Sequence, residues 1–293
     1  MTPILTDMSL HPEVTGFFDP ATNTISYVLR DPAGTACAVI DSVMDIDYAA
    51  GRITHAHADR IIAHIRDHGL TLEWLIETHV HADHLSAAPY IQAQLGGRIG
   101  IGAGIVEVQE VFGKIFNEGT EFQRDGSQFD ALFSDGDTYK IGMMAAQVMH
   151  TPGHTPACMT HVAGDAAFVG DTLFMPDGGS ARADFPGGDA GVLYDSIQRV
   201  LVLPDAMRLF MCHDYGPNGR DIRWETTVGE ERRHNIHIAG KSRDDFVRLR
   251  TERDKTLAMP RLILPSLQVN MRAGEVPTDA SGRPMLKVPV NGF

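Results

Sequence analysis

The chain has 293 residues, 43% of them hydrophobic and 22% charged, enough to bury a sizeable core without disulfide or metal staples. A formal net charge of −13 excludes a nucleic-acid partner, since phosphate backbones need a basic face. It does not exclude an anionic small molecule, because a metal ion and one or two arginines can reverse the sign locally.

In chain order, residues 24–29 and 36–40 read as short β-branched strands joined by the turn Asp31-Pro32-Ala33-Gly34. Residues 55–68 follow as a helix, with Ala58, Ile61, Ile62 and Ile65 at helical spacing and Gly69 as its stop. The apolar run 72–77 is a buried strand, and a helix over 84–95 ends at Gly96-Gly97. Strands are expected at 129–133, 145–149, 159–162, 166–169 and 208–212, and a helix at 190–202. Ser242 caps a charged helix reaching about Leu257, and the tail from Pro260 reads as ordered loop or flap. Strands mixed with helices imply a layered α/β fold, and no repeat or linker divides the chain. The expectation is one domain over 1–293 with a C-terminal helical and loop extension at about 240–293.

Cys37, Cys158 and Cys212 form no C-x-x-C pair, a sparse pattern that fits a reducing compartment and buried thiols. Residues 1–7 show no basic stretch leading into an apolar one, and no apolar run approaches a membrane span. A cytoplasmic protein without a membrane partner is expected, with a homodimer left open.

Two segments nearly copy each other: His55-Ala56-His57-Ala58-Asp59-Arg60 and His79-Val80-His81-Ala82-Asp83-His84. The first lies in the helical pattern, where residues i and i+2 point to different faces, so His55 and His57 cannot readily share an ion. Solvated polar helix positions are the expectation there. The second follows a strand, where i and i+2 fall on one side, so His79 and His81 can converge. Asp83 and His84 then open onto the same cleft. Imidazole nitrogens with a carboxylate form a divalent-cation donor set. Three more candidates stand at strand-to-loop exits: His154 in Thr151-Pro152-Gly153-His154-Thr155, Asp171 in Gly170-Asp171-Thr172, and His213 in Cys212-His213-Asp214-Tyr215.

His79-x-His81-x-Asp83-His84, followed by His154, Asp171 and His213, resembles the metallo-β-lactamase superfamily over about residues 23–237. That resemblance implies a four-layer αββα sandwich with the metal site at one edge of the paired sheets. The segments Phe168-Val169-Gly170-Asp171-Thr172-Leu173, Ala181-Arg182-Ala183-Asp184-Phe185, His213-Asp214-Tyr215 and Glu230-Glu231-Arg232 are more narrowly similar to persulfide dioxygenases. Pro260-Arg261-Leu262-Ile263-Leu264-Pro265-Ser266 resembles the bacterial branch. The resemblance implies oxidation of glutathione persulfide with O2 to sulfite and glutathione. It also implies one Fe(II) per chain held by His79, His154 and Asp171, with open positions left for substrate and O2. On the same resemblance, His81, Asp83, His84 and His213 are expected to form an outer shell or a vacant second metal site.

Arg182 is a candidate substrate-anion contact or a structural partner of Asp184. Tyr215 is a candidate hydrogen-bond donor to substrate or a packed ring, and Asp214 is expected to pair with a cation such as Arg232. Mitochondrial-type members carry a Cys in a Gly-Cys-Gly-Arg run, where this chain has Ser180. The same donors also suit a dinuclear hydrolase of glyoxalase II type, with His79, His81 and His154 on one ion, Asp83, His84 and His213 on the other, and Asp171 bridging. A non-enzymatic metal or redox sensor fits less well, because sensing needs no open metal positions and the chain is poor in thiols.

Overall fold

The computed structural model describes residues 7–292. Its framework is two six-stranded sheets stacked face to face. The first runs in the order Glu13–Asp19, Thr24–Arg30, Ala36–Ile40, Thr71–Ile76, Arg98–Gly102, Ala131–Phe133. It begins antiparallel and is parallel from Ala36–Ile40 onward. The second runs Thr138–Ile141, Met144–His150, Met159–Ala163, Ala166–Phe168, Arg208–Phe210, Glu225–Thr227, antiparallel except between Ala166–Phe168 and Arg208–Phe210.

The two-residue side-chain period divides each strand between two cores. In Ala36–Ile40, Ala38 and Ile40 join Tyr27, Trp74, Phe168 and Phe210 between the sheets, whereas Cys37 and Val39 face outward. That outer face is covered by helices α1 (Ala56–Asp67), α2 (Ala88–Leu95) and α3 (Ile105–Ile115), through Ile61, Ile65, Ile91, Val108 and Phe112. The second sheet buries Val162, Ala167 and Leu209 under α4 (Ala190–Val200), α5 (Val228–His234) and α6 (Arg243–Asp254), through Leu193, Ile197, Val228 and Phe246. The layers are therefore helix, sheet, sheet, helix: the αββα sandwich of the metallo-β-lactamase fold.

Several elements differ from expectation. The helix expected from His84 starts at Ala88, because Leu85–Ser86 pairs as a strand with Val43–Met44 and Pro89 occupies the first helical turn. Asp83 and His84 therefore sit on an irregular bend. The helix α3 was not anticipated, and neither were the strands Glu13–Asp19, Val43–Asp47 and Thr138–Ile141. The tail is not all loop. After α6, which opens on a Ser242/Asp245 capping box, α7 (Ile263–Asn270) buries Leu267 and Val269 in the first outer core. The N-terminal reading concerned residues 1–7, of which 1–6 lie outside the described residues. Among the described residues, no helix is long and apolar enough to cross a membrane.

Candidate metal centre

The strand Thr71–Ile76 is buried in the middle of its sheet and delivers Glu77 to His84 at the edge shared by both sheets. In the bend that follows the strand, His79 and His81 come together with ring centroids 4.1 Å apart, each in a different donor group. Hydrogen bonds then decide which nitrogen of each ring carries the proton. The Thr78 hydroxyl donates to Asp41 (2.8 Å), so at 3.0 Å from His79 Nδ1 it can only accept. His79 is therefore protonated on Nδ1, and its Nε2 lone pair is free.

The same logic runs through the cluster. His154 Nδ1 donates to the Arg182 carbonyl (2.7 Å) and His213 Nδ1 to the Asn23 carbonyl (3.2 Å), which turns Nε2 of each into the cluster. His84 Nδ1 faces Thr24 Oγ1 at 3.3 Å, while His81 turns Nε2 to Asp41 (3.0 Å) and Glu77 (3.4 Å). Among the described residues, His79 Nε2, His81 Nδ1, His84 Nε2, His213 Nε2 and Asp171 Oδ1 are buried without any hydrogen-bond partner. One such atom is costly, and five in one cluster call for an ion.

Among the described residues four donor groups have their ligand atoms mutually within 4.8 Å: His79, His154 and Asp171; His81, Asp83, His84 and His213; and two that overlap these, Asp171, Cys212 and His213, and Asp41, Glu77 and His81. Asp171 Oδ2 lies 3.9 Å from His79 Nε2 and 3.6 Å from His154 Nε2, and its Oδ1 lies 3.5 Å from His213 Nε2. These gaps are too long for hydrogen bonds and close to the roughly 3–3.5 Å between two ligands of one ion with bonds near 2.1 Å. Burial, with the neighbouring imidazoles adding to it, holds His79 well below the usual histidine range and His84 at about 4. Both are thus neutral donors at neutral pH. Burial also opposes charge on His81 and His213, but Asp41 and Glu77 outweigh it at His81, and Asp83 and Asp171 at His213, so both are raised. The donor set fits a divalent transition metal.

Glycines place two of the donors. Gly170 has φ +52, and a Cβ there would lie 2.6 Å from Thr78 Oγ1; Gly153 has φ +128 and would meet the Leu193 backbone at 2.3 Å. Only glycine lets the chain turn so sharply just before Asp171 and His154. Three supporting residues were not anticipated. Asp41 (φ +51) accepts from Thr78 N and Thr78 Oγ1 and faces His81. It stands at a strand exit, the same signal that marked Asp171 and His213. Glu77 accepts from the Ser86 hydroxyl (2.5 Å) and faces His81. Asn270, the last residue of α7, donates to the carbonyls of His81 (2.8 Å) and His84 (2.7 Å) and accepts from Ser86 N (2.8 Å). Nothing near Asn270 in the sequence signals that role.

Above the donors opens a cavity of about 460 Å³ lined by Asp83, His154 and Asp171, with Phe174, Phe185 and Leu257 among its walls. Arg182 and Tyr215 also line it. The guanidinium of Arg182 donates to both oxygens of Asp184 (2.6 and 2.8 Å) and to the Ala258 carbonyl (2.8 Å), so the structural pairing allowed by the sequence is present. Tyr215 is exposed and lies nearly parallel to His213, with centroids 6.1 Å apart. Ser180 is buried against His237 Nδ1. Asp214 pairs with Arg220 (2.6 Å), not with Arg232, which bonds Asp205. All three cysteines are free and buried.

The near-copy at His55 is organised differently. His55 stacks on Tyr90 (3.8 Å), whose hydroxyl donates to Asp59 (2.8 Å). His57 is not solvated but 3% exposed, on the inner face of α1. The Ser26 hydroxyl donates to the Asp41 carbonyl (2.7 Å), so it accepts from His57 Nε2 (3.2 Å).

The metallo-β-lactamase superfamily model matches residues 20–213. A Burkholderia pseudomallei protein named a probable metallo-hydrolase is 57% identical over 292 residues, covering 96% of this chain and 99% of its own. The β-lactamase hydrolase-like protein of Xylella fastidiosa is 51% identical over 283 residues, 96% of this chain but 65% of its own length, so this chain spans under two thirds of that relative. The mitochondrial persulfide dioxygenase of Homo sapiens is 30% identical over 265 residues, 89% of each chain. The crystal structure of ETHE1 from Myxococcus xanthus superposes with a TM-score of 0.72 at 29% identity, covering 90% of this chain and all of that one. The chain belongs to the metallo-β-lactamase superfamily, as a metal-binding enzyme of the hydrolase or oxidoreductase kind.

Proposed function

We propose that this chain is a glutathione-dependent persulfide dioxygenase, oxidising glutathione persulfide with O2 to sulfite and glutathione at one Fe(II) held by His79, His154 and Asp171. The observation that carries the reading is the composition of that donor group: two imidazoles and one carboxylate, without His81, beside a cavity. A three-ligand face of this kind leaves positions for two further ligands, which a reaction between a sulfur donor and O2 needs. The likeness to the human persulfide dioxygenase supports it.

When bound, Fe(II) supplies a site where sulfur and O2 meet and electrons pass between them. The rest falls to the chain. Arg182 holds His154 through its backbone carbonyl, fixing the imidazole's tautomer and angle. Asp83 lines the cavity and lies 3.2 Å from the buried His213, a pair that can orient water and accept or return a proton as sulfite forms. Phe174, Phe185 and Leu257 limit water around the persulfide. Tyr215 and Arg182, at the cavity wall, are the proposed substrate contacts.

Metal analysis of protein purified without added metal, paired with O2 uptake, tests the reading. Iron near one equivalent per chain and uptake on adding glutathione persulfide are expected. Two equivalents of zinc with thioester hydrolysis and no uptake would overturn it in favour of a dinuclear hydrolase. One observation favours that second reading: Asp171 turns one oxygen to each donor group, as a bridging ligand does.

A further inference from the structure

Behind the donors lies a second, smaller cavity that the proposed reaction does not use. The bend that carries the donors, α3 and α7 enclose it through Val80, Val108 and Leu267, and its volume is about 20 Å³. A water-sized molecule needs roughly 10–15 Å³, so the space suits a single small guest. Among the described residues its lining is apolar except for Thr155, whose hydroxyl is hydrogen-bonded to Cys158 Sγ (3.1 Å). A buried water needs about two to four polar partners, and these side chains do not supply them. The walls therefore favour an apolar guest over water.

The same walls keep the space from collapsing. Pro156 and Pro186 have no side-chain rotation to spend, Val80 and Val108 are β-branched and stiff at χ1, and Ala82 carries only a methyl group. None of them can swing inward to fill the void.

The cavity also borders the site. Ala82 and Phe185 line both this space and the larger cavity above the donors, so an apolar wall one side chain thick divides the two. Ala82 stands between His81 and Asp83 in the chain, and the Phe185 ring meets His154 edge to face, with centroids 5.5 Å apart. A small apolar guest is thus held next to a donor group, on the side away from the larger cavity.

We propose that this cavity is a holding site for O2, an apolar diatomic gas, and that Phe185 is the wall across which the gas passes to the donor group of His79, His154 and Asp171. An apolar space takes up an apolar gas from water, and here it does so without competing with the persulfide for the larger cavity. The choice of O2 rests on the function proposed above; the fit to one small apolar guest is read from the cavity alone.

Crystals of the metal-loaded protein pressurised with xenon give the direct test, because xenon marks dry apolar cavities. Xenon between Val108, Leu267 and Phe185 is expected in wild type. Val108→Leu, which lengthens a wall side chain into the space, should lose that xenon while keeping its iron content. In O2-uptake assays the same variant should show a KM for O2 raised several-fold, with kcat and the KM for glutathione persulfide unchanged. Val108→Ala, which widens the space, should keep the xenon and show a KM for O2 no higher than wild type. Missing xenon in a wild type that consumes O2 overturns the holding site and leaves the dioxygenase reading standing, as does an unchanged KM for O2 in Val108→Leu. Xenon bound there in a protein that never consumes O2 overturns both O2 as the guest and the dioxygenase reading.

Discussion

The segments His55–Asp59 and His79–Asp83 carry the same residue pattern but have opposite fates. In the helical copy, His55 and His57 diverge: one stacks on Tyr90 at the surface, the other is buried against Ser26. In the copy after the strand, His79 and His81 come together at a centre where five polar atoms await a partner. Backbone conformation separates the two, a helix in one and a bend in the other. They are nonetheless joined physically. His57 donates to Ser26, Ser26 donates to the Asp41 carbonyl, and the Asp41 carboxylate orients His81. The near-copy thus buttresses the site from behind.

The largest expected effect breaks the symmetry outright. His79→Ala should abolish metal binding and activity, a loss beyond the roughly 10–100-fold that changes around a metal's ligands cost. His55→Ala should leave both intact in metal analysis and O2 uptake. Metal loss in His55→Ala would show the two segments to be functionally alike.

A smaller effect is expected where the site segment is supported. Asp41→Asn weakens the acceptor of His81 and Thr78, and Asn270→Ala releases the carbonyls of His81 and His84. Each should lower metal affinity roughly 10–100-fold in competition with a chelator. Unchanged affinity in both would mean that the motif holds its own shape.

His57→Ala should cost about 1–3 kcal/mol of stability by denaturant unfolding, through lost packing and an unsatisfied partner at Ser26, while metal content stays unchanged. This effect has a pH signature. Burial holds His57 below the ordinary histidine value in the folded protein. As pH falls through about 6.5 the unfolded chain takes up a proton that folded His57 resists, so stability from neutral His57 is present above that pH and lost below it. The stability difference between wild type and His57→Ala should shrink from pH 7.5 to 5.5. A constant difference would show that His57 charges freely in the fold.

The smallest effect belongs to His55. Losing its stack on Tyr90 should cost about 0.5–1.5 kcal/mol, measured as a shift in unfolding midpoint.

Much of this was legible in the sequence, and the failures share a cause. The strands around the motif and the positions of His154, Asp171 and His213 at strand exits follow from local hydrophobic runs and turn residues. The start of α2 is not legible locally, because Leu85–Ser86 pairs with Val43–Met44, some forty residues earlier. The Pro and Gly content of the tail reads as loop and hides α7, a helix stabilised by burying Leu267 and Val269 under the first sheet. A polar residue on an amphipathic helix ordinarily faces solvent, and it takes Ser26, 31 positions away, to give His57 a buried partner.

What the sequence determined by itself is the donor inventory and its place just after an apolar strand, because an apolar run and the residue types that follow it are local properties; the bend that brings His79 and His81 together is not. Only the tertiary structure decided which nitrogen of each histidine faces the centre. The groups that set those tautomers are distant in the chain: the Arg182 carbonyl lies 28 residues from His154, Asp41 lies 40 from His81, and the Asn23 carbonyl lies 190 from His213. A proton's place on an imidazole depends on the partner of its other nitrogen, and no local pattern contains that partner.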